Sequence, residues 1–520
     1  MGMASLFLVA ACTSEGGDER RPLAEASASR EAGARPPCRG IDRLVRRVRA
    51  GYVPGASTDI SVIPREPNYV GSAARPVHSG PWDYLAEVPL VVHAPGLVAN
   101  DEVLKPASME QVAPTLARWI GVRMPGDGLP GFRATGTPSV TVVLVWDGGG
   151  WNVLREHPDD WPFLRSLLGD SLVYRNFEIG SSPSVTPPVH ATLGTGTLPR
   201  EHGIPGLRTR RGAEYVDPFL GLDPSGLRVP TLAERLVDQS GGRATAAVLA
   251  SVNWHLGMIG SARGPVVLIR ETGETYTNES LYTLPVETDA ALLEKETRSL
   301  DGSDGETDES WREHDLTDPL VRYATPAHVG YQQALLERLV AREELGRDRW
   351  GDVLFVNFKS IDDAGHNWGM ASAETGETLR ATDEALRRLV AFLDREVGRG
   401  RWATVVTADH GQTPYPDESG AWPIGGAELA RDINERFDRN DNGVALADRV
   451  SSPGVYVNRV ELSANDVSLG RVARWVADYT VGENLKEGDQ LPARFEGRAD
   501  ERLFDATLAG SRLAGLSCSR

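Results

Sequence analysis

Lysine, cysteine and long apolar runs are what this chain has least of. Its lysines are Lys105, Lys295, Lys359 and Lys486 alone, so arginine carries nearly all the positive charge, a usage we read as codon bias rather than function. Acidic residues outnumber basic ones by 73 to 55, for a formal charge of −18. That sign argues against a nucleic acid polymer as partner and fits an acidic soluble enzyme. No stretch approaches the roughly 20 apolar residues of a membrane-spanning helix. No internal repeat is visible, and no histidine follows His410.

The three cysteines, Cys12, Cys38 and Cys518, lie near the two ends. The leading MGMASLFLVAAC resembles a bacterial lipoprotein signal with Cys12 as the lipidated residue, although no Lys or Arg precedes the apolar run. It implies export, to the cell envelope or beyond, with membrane anchoring through a lipid on Cys12. Residues 13–37, rich in Ser, Glu, Arg, Ala and Gly, read as a disordered tether, so 1–37 stand apart from the folded protein.

At 520 residues the chain is too long for one simple domain and suits a sheet domain of roughly 350–400 residues with insertions. Residues 59–64 and 88–93 read as strands, and 108–120 as an amphipathic helix capped by Ser108. Residues 123–139 are rich in Gly and Pro and read as a linker. The apolar, β-branched run Val140–Trp146 reads as a buried parallel strand with Asp147 at its carboxyl end, where open α/β sheets place ligands. Thr186, before Pro187 and Pro188, suggests a hydroxyl held at the start of a helix. A helix near 230–238 and strands near 244–250 and 265–270 follow. The acidic 296–318 reads as a surface insertion. A helix near 327–345 leads to the strand before Lys359-Ser-Ile-Asp362, ending in a loop, and a long helix over 374–398 leads to the strand before Asp409. Such alternation predicts an α/β fold with a doubly wound, mostly parallel sheet and helices on both faces.

Three separate strands thus end in metal-ligand residue types: Asp147, then Asp362 with His366, then Asp409 with His410. Carboxylate oxygen and imidazole nitrogen suit zinc, and the four-residue spacing lets Asp362 and His366 reach one ion from a single loop or turn.

This combination resembles the alkaline phosphatase superfamily, closest to its type I phosphodiesterase/nucleotide pyrophosphatase branch. The matching segments are Asp147, T-P-P-V-H at 186–190 with His202-Gly203-Ile204, D-D-A-G-H at 362–366 and D-H-G at 409–411, over about 140–415. The resemblance implies Thr186 as the nucleophile and two divalent ions, expected to be zinc. Asp147, Thr186, Asp409 and His410 would hold one, and Asp362 and His366 the other. That second ion lacks one histidine, which the family normally supplies near its C-terminus. Here the family's closing pattern, a His turn before VPL and APTLA, appears at the front as VHSGPWDY, VPL and APTLA, so His78 is the candidate ligand. His93, on an apolar strand, reads as a core histidine. The order implies circular permutation. Residues 38–122 would be the family's C-terminal segment, 123–139 the joint, and 140–520 the main part, with insertions near 271–326 and 415–460. A Cys38–Cys518 disulfide, or two free thiols, would then flank the cut.

The resemblance implies hydrolysis of a small-molecule phosphoester through a phosphothreonine, two cations clamping the attacking and leaving oxygens. Sulfate esters are excluded, since sulfatases need Cys or Ser converted to an aldehyde. Leu207, beside Arg208, stands where relatives carry a phosphoryl-contacting Asn, and Asn253-Trp254-His255 where monoesterases carry Lys and Arg. The lost cations favour a diester. Asn253, His255 and Arg208 are the candidate substrate contacts, with Trp254 as a stacking surface or as plain core packing. A phosphomonoesterase is the alternative, and a metal-binding pseudoenzyme on the same scaffold a second. Residues 438–448 resemble a calcium loop through Asp438, Asn440, Asn442 and Gly443, but Arg449 stands where a bidentate Glu belongs, so the alternative is a polar turn.

Overall fold

β-Branched runs that end in Asp or Lys become neighbours at the middle of one sheet. The computed structural model describes residues 41–515 apart from Ala213, Asp441 and Glu487. The lipoprotein-like leader with Cys12, the tether, Cys38 and Cys518 lie outside the described residues.

The strands that matter here begin with β1 (Ile60–Pro64), β2 (Leu90–His93), β3 (Asp101–Val103), β4 (Val140–Trp146), β5 (Leu172–Tyr174), β6 (Ala246–Ala250) and β7 (Val266–Ile269). They continue with β8 (Thr275–Tyr276), β9 (Asp352–Phe358), β10 (Trp402–Thr407), β11 (Ala447–Ser451), β12 (Gly454–Val457) and β13 (Phe504–Ala509). The main sheet has the order β8-β7-β6-β9-β4-β10-β2-β5-β3. Strands β7, β6, β9, β4 and β10 run parallel. β2 lies antiparallel to both β10 and β5.

Every residue of β4 and β9 is buried, because helices cover both faces. Val143 and Val145 share one core with α2 (Val112–Trp119), α3 (Thr186–Thr195) and α4 (Leu232–Ser240). Val142 and Leu144 point the other way, against α5 (Pro326–Arg342) and α7 (Ala373–Leu393). The α/β sheet with helices on both faces is therefore present as expected. The helix expected over 108–120 opens with a short 3-10 turn, Met109–Gln111, in which Gln111 Oε1 accepts the Ser108 N–H at 3.0 Å. Pro114, third in α2, is tolerated there because first-turn N–H groups have no partner inside the helix.

One local expectation is corrected. Asp362 and His366 lie on no loop: β9 passes almost directly into α6 (Ser360–Trp368), where the Lys359 carbonyl accepts the Asp362 and Asp363 N–H groups. On a helix the four-residue spacing puts Asp362 and His366 on one face.

A second, antiparallel sheet has the order β11-β12-β1-β13. Its β1 comes from the front of the chain and pairs with β13 from the back, Ile60 opposite Ala509. The expected insertion near 415–460 supplies β11 and β12, and the one near 271–326 a helix (Ala290–Asp301) and a small hairpin. Residues 123–139 form neither helix nor strand and are tied down by the Trp119 indole N–H on the Gly136 carbonyl at 2.7 Å.

Candidate functional site

Because β9, β4 and β10 are adjacent and parallel, their carboxyl ends deliver Lys359, Asp147 and Asp409 to one place. Asp409 and Asp362 each have one oxygen anchored and offer the other, while both Asp147 oxygens are held, Oδ1 by Lys359 Nζ at 3.0 Å. Asp409 Oδ1 accepts the Gly148 N–H at 3.0 Å, and Asp147 Oδ2 accepts the Asn357 amide at 2.8 Å. Asp362 Oδ2 accepts Lys359 Nζ at 2.5 Å.

Atoms of metal-ligand type converge in two groups. Asp362 Oδ1 lies 3.5 Å from both His78 Nε2 and His366 Nε2. His410 Nε2 lies 3.2 Å from Asp409 Oδ2 and 3.6 Å from Asp147 Oδ1. Donors about 2.1 Å from a tetrahedral cation stand about 3.4 Å apart, so these separations fit ligand atoms around an ion better than hydrogen bonds. Asp362 Oδ1, Asp409 Oδ2 and His410 Nε2 are buried without a hydrogen-bond partner among the described residues. An unsatisfied buried polar atom costs about 1–3 kcal/mol, and divalent cations would remove that cost for all three. The chain's residues therefore fit the expected metal centres. The two groups meet where the His78 and His410 rings stack at 3.6 Å.

His78 comes from a loop far in sequence from the rest, yet it is clamped. Its Nδ1 lies 2.8 Å from the Ser184 carbonyl, and the Ser184 hydroxyl donates back to the His78 carbonyl at 2.6 Å. His410 Nδ1 likewise lies 3.1 Å from the Gly411 carbonyl. With Nδ1–H as donor, the neutral form of each ring presents an Nε2 lone pair to the site. Burial holds the His78 pKa well below the usual range. Burial also opposes a charge on His410, but the Asp409, Asp362 and Asp147 carboxylates carry its pKa up to about 9.

Thr186 opens α3, and its hydroxyl has no hydrogen bond among the described residues. The helix is positioned by a chain of hydrogen bonds: His190 Nδ1–H donates to the Thr186 carbonyl at 2.8 Å, and the Asn357 amide reaches His190 Nε2 at 3.0 Å. Since the same amide holds Asp147, Thr186 and the carboxylate share one brace. His202, of the H-G-I segment, is fully buried with Nε2 3.1 Å from Thr192 Oγ1, so it ties that turn to α3. His93 lies in the core against Trp402, as expected.

Thr186, His78, Asp362, His366 and Lys359 line a cleft of about 690 Å³. Its upper walls are largely apolar, among them Leu207, Val252, Trp254, Pro453 and Tyr456. Arg208 also lines it, exposed and with no ion pair among the described residues.

Two expected substrate contacts are corrected. Asn253 donates to Asp217 Oδ1 at 3.0 Å and to the Phe219 carbonyl at 3.1 Å, away from the cleft. His255 is fully buried behind Asp147, with Nε2 3.4 Å from Asp147 Oδ2 and Nδ1 accepting the Val252 N–H at 3.2 Å. It orients a carboxylate. Trp254 does reach the cleft, its indole N–H pinned to Asp217 Oδ2 at 2.8 Å. In the calcium-like loop the Asn440 and Asn442 amides donate to the buried Glu461, and Asp438 Oδ2 accepts the Leu446 N–H. These hydrogen bonds, with Asn442 Oδ1 accepting the Val444 N–H at 2.8 Å, are ones that a polar turn makes.

Sequence reasoning missed Lys359, Asn357 and His190. Signals existed for the first two: one of four lysines directly after an apolar strand, and a lone amide inside that strand.

Comparison with known proteins gives a family and a fold. The family described as type I phosphodiesterase/nucleotide pyrophosphatase matches residues 141–510. The calcium-transporting ATPase of Myroides odoratus is 27% identical over 143 residues, 26% of this chain and 26% of that protein. Alkaline phosphatase PhoV of Synechococcus elongatus is 35% identical over 77 residues, 15% of this chain and 14% of that one. Alkaline phosphatase PafA of Elizabethkingia meningoseptica is 29% identical over 155 residues, 28% of this chain and 27% of that one. The chain thus spans about a quarter or less of the length of these relatives. Wild-type PafA also has a similar fold, with a TM-score of 0.53 at 16% identity, over 72% of this chain and 85% of that one.

Proposed function

The chain belongs to the type I phosphodiesterase/nucleotide pyrophosphatase family, and from that premise we propose that it is a metal-dependent phosphoester hydrolase cleaving phosphodiesters through Thr186. One observation carries the reading. Two groups of buried ligand-type atoms lie side by side, one of them lining a cleft that also includes Thr186, whose hydroxyl has no hydrogen bond among the described residues.

Asp147, Thr186, Asp409 and His410 would hold one divalent ion, and Asp362, His366 and His78 the other. When bound, the ions supply Lewis-acid charge that lowers the nucleophile's pKa and offsets charge on the leaving oxygen. The chain's own residues do the rest. Thr186 Oγ1, aimed by the His190–Asn357 brace, forms a bond to phosphorus as the bond to the leaving alcohol breaks, giving a phosphothreonine. Water then attacks that phosphorus and Thr186 leaves as the alcohol. His255 and Asn357 keep Asp147 turned toward the site. The volume and apolar walls of the cleft give a second, organic ester group somewhere to sit, which favours a diester. Zinc as the metal rests on the histidine and carboxylate donor set.

Circular permutation is part of the same reading. It is supported by the family match beginning at 141 while His78 comes from before it, and by the pairing of β1 with β13. Export with lipid on Cys12 rests on the leading sequence pattern alone.

The assay is hydrolysis of bis-p-nitrophenyl phosphate against p-nitrophenyl phosphate by zinc-loaded full-length protein. A diester preference supports the proposal. A monoester preference points to the phosphomonoesterase, a reading favoured by the buried ammonium of Lys359. Bound metal without turnover of either ester would mean a binding protein on this scaffold.

A further inference from the structure

Lys359 is a charged side chain 7% exposed that lines the cleft, and beyond anchoring carboxylates it has no part in the reaction steps above. Its Nζ lies 3.0 Å from Asp147 Oδ1 and 2.5 Å from Asp362 Oδ2. One of those carboxylates belongs to each candidate metal group, so the ammonium stands between the two groups. An ammonium has three N–H bonds. Two are accounted for by these oxygens, which leaves a third, and the side chain lines the cleft.

The other arginine and lysine side chains lining the cleft are placed differently. Arg75 is held by Asp363 at 3.1 Å and is more than half exposed. Arg208 sits at an exposed position beside Leu207. Neither is anchored to the carboxylates that define the reacting centre. A group attacked by Thr186 must bring its phosphorus between the two metal groups, and its non-bridging oxygens, which gather charge in the transition state, need donors there. A preorganised cation inside a dry site serves that need far better than a mobile one at the rim.

Resting on the phosphoester hydrolase reading, we propose that Lys359 is a third, protein-supplied cation of the site that contacts a non-bridging phosphoryl oxygen of the substrate. It takes the place that an amide or guanidinium on the cleft wall would otherwise fill, where this chain has Leu207. The ligand class it selects is a phosphoryl group with at least one charged non-bridging oxygen, in a monoester or a diester.

The test compares full-length, zinc-loaded wild type with Lys359→Met, close in length and uncharged, and Lys359→Gln, which keeps an N–H donor without the charge. Three quantities are read: zinc bound per chain, affinity for inorganic phosphate by calorimetry, and kcat/KM on bis-p-nitrophenyl phosphate. The expected result for Lys359→Met is unchanged zinc content, phosphate binding weakened about tenfold, and kcat/KM lowered about 10²-fold. Lys359→Gln is expected to fall between it and wild type in phosphate affinity. Loss of zinc in both variants would overturn the proposal, because Lys359 would then act only by holding the carboxylates in place. Unchanged phosphate affinity with intact zinc would overturn it equally. If wild type itself hydrolysed no phosphoester, the underlying reading would fall; if wild type is active and Lys359→Met matches it, only this proposal falls.

Discussion

At the scale of single residues, the site is built from half-anchored groups, and the anchors can be tested separately from the ligands. Thr186→Ala removes the attacking oxygen and leaves Asp147, Asp409 and His410 in place. Diester hydrolysis should fall by at least about 10³-fold with most of the bound zinc retained, measured by single-turnover kinetics and metal analysis. His78→Ala removes a ligand that approaches Asp362 from a distant loop. It should cost about one zinc per chain and the activity with it, whereas His93→Ala, in the core, should leave zinc content unchanged. An active His78→Ala enzyme with full zinc would show that the front segment does not complete the site.

Much of this scale was readable in the sequence, for a chemical reason. Asp147, Asp409 and His410 follow apolar strands closely, and Asp362 and His366 lie on the helix that opens just after another; a strand end is where an α/β sheet places chemistry-bearing side chains. Asn253 and His255 misled because they also follow a strand. Which way such residues turn depends on the next loop, and here Asp217 and Asp147 claim them.

At the scale of elements, two packing features hold the nucleophile's helix and the central strand. A Cβ on Gly194 of α3 would lie 2.2 Å from the Gly257 carbonyl oxygen in the 3-10 segment Asn253–Met258. Gly194→Ala should push the two apart, lowering Tm by several degrees and kcat more than KM, since Thr186 sits at the far end of the same rigid helix. The second feature is Asp352 at the start of β9, whose carboxylate accepts the Thr245 and Gly346 N–H groups at 2.7 and 2.9 Å. Burial pushes its pKa up to about 6 from an ordinary 3.8. A raised carboxyl pKa means the folded state keeps its proton after the unfolded chain has released it. The stability contributed is therefore full below about pH 4 and is lost as pH rises through about 6, amounting to about 2–3 kcal/mol. In melts of EDTA-treated protein, Asp352→Asn should gain on wild type between pH 4 and 7; a difference constant across that window would refute the assignment.

At the scale of the whole molecule, the two sheets and the site depend on contacts between distant parts of the chain. Asp59, almost fully buried before β1, accepts Arg210 at 2.7 Å, Arg459 at 3.0 Å and the Val457 N–H at 2.9 Å. Asp59→Ala would leave Arg210 buried without its carboxylate, at a cost of about 3 kcal/mol in denaturant unfolding. Among the described residues no helix is long and apolar enough to cross a membrane.

The sequence by itself determined the alternation of strands and helices, the residues of metal-ligand type after three strands and the placing of Thr186 at a helix start. These follow from local patterns of apolar periodicity and polar residues that a neighbouring stretch of chain suffices to set. The family resemblance named His78, but only the tertiary structure brought it, from 284 residues before Asp362, to 3.5 Å from that carboxylate's oxygen, and turned Lys359 inward to lie between two carboxylates. It also decided that Asn253 turns away. Those outcomes depend on which loops close over which strand ends, and on where a buried charge finds its counter-charge, and no local pattern encodes that.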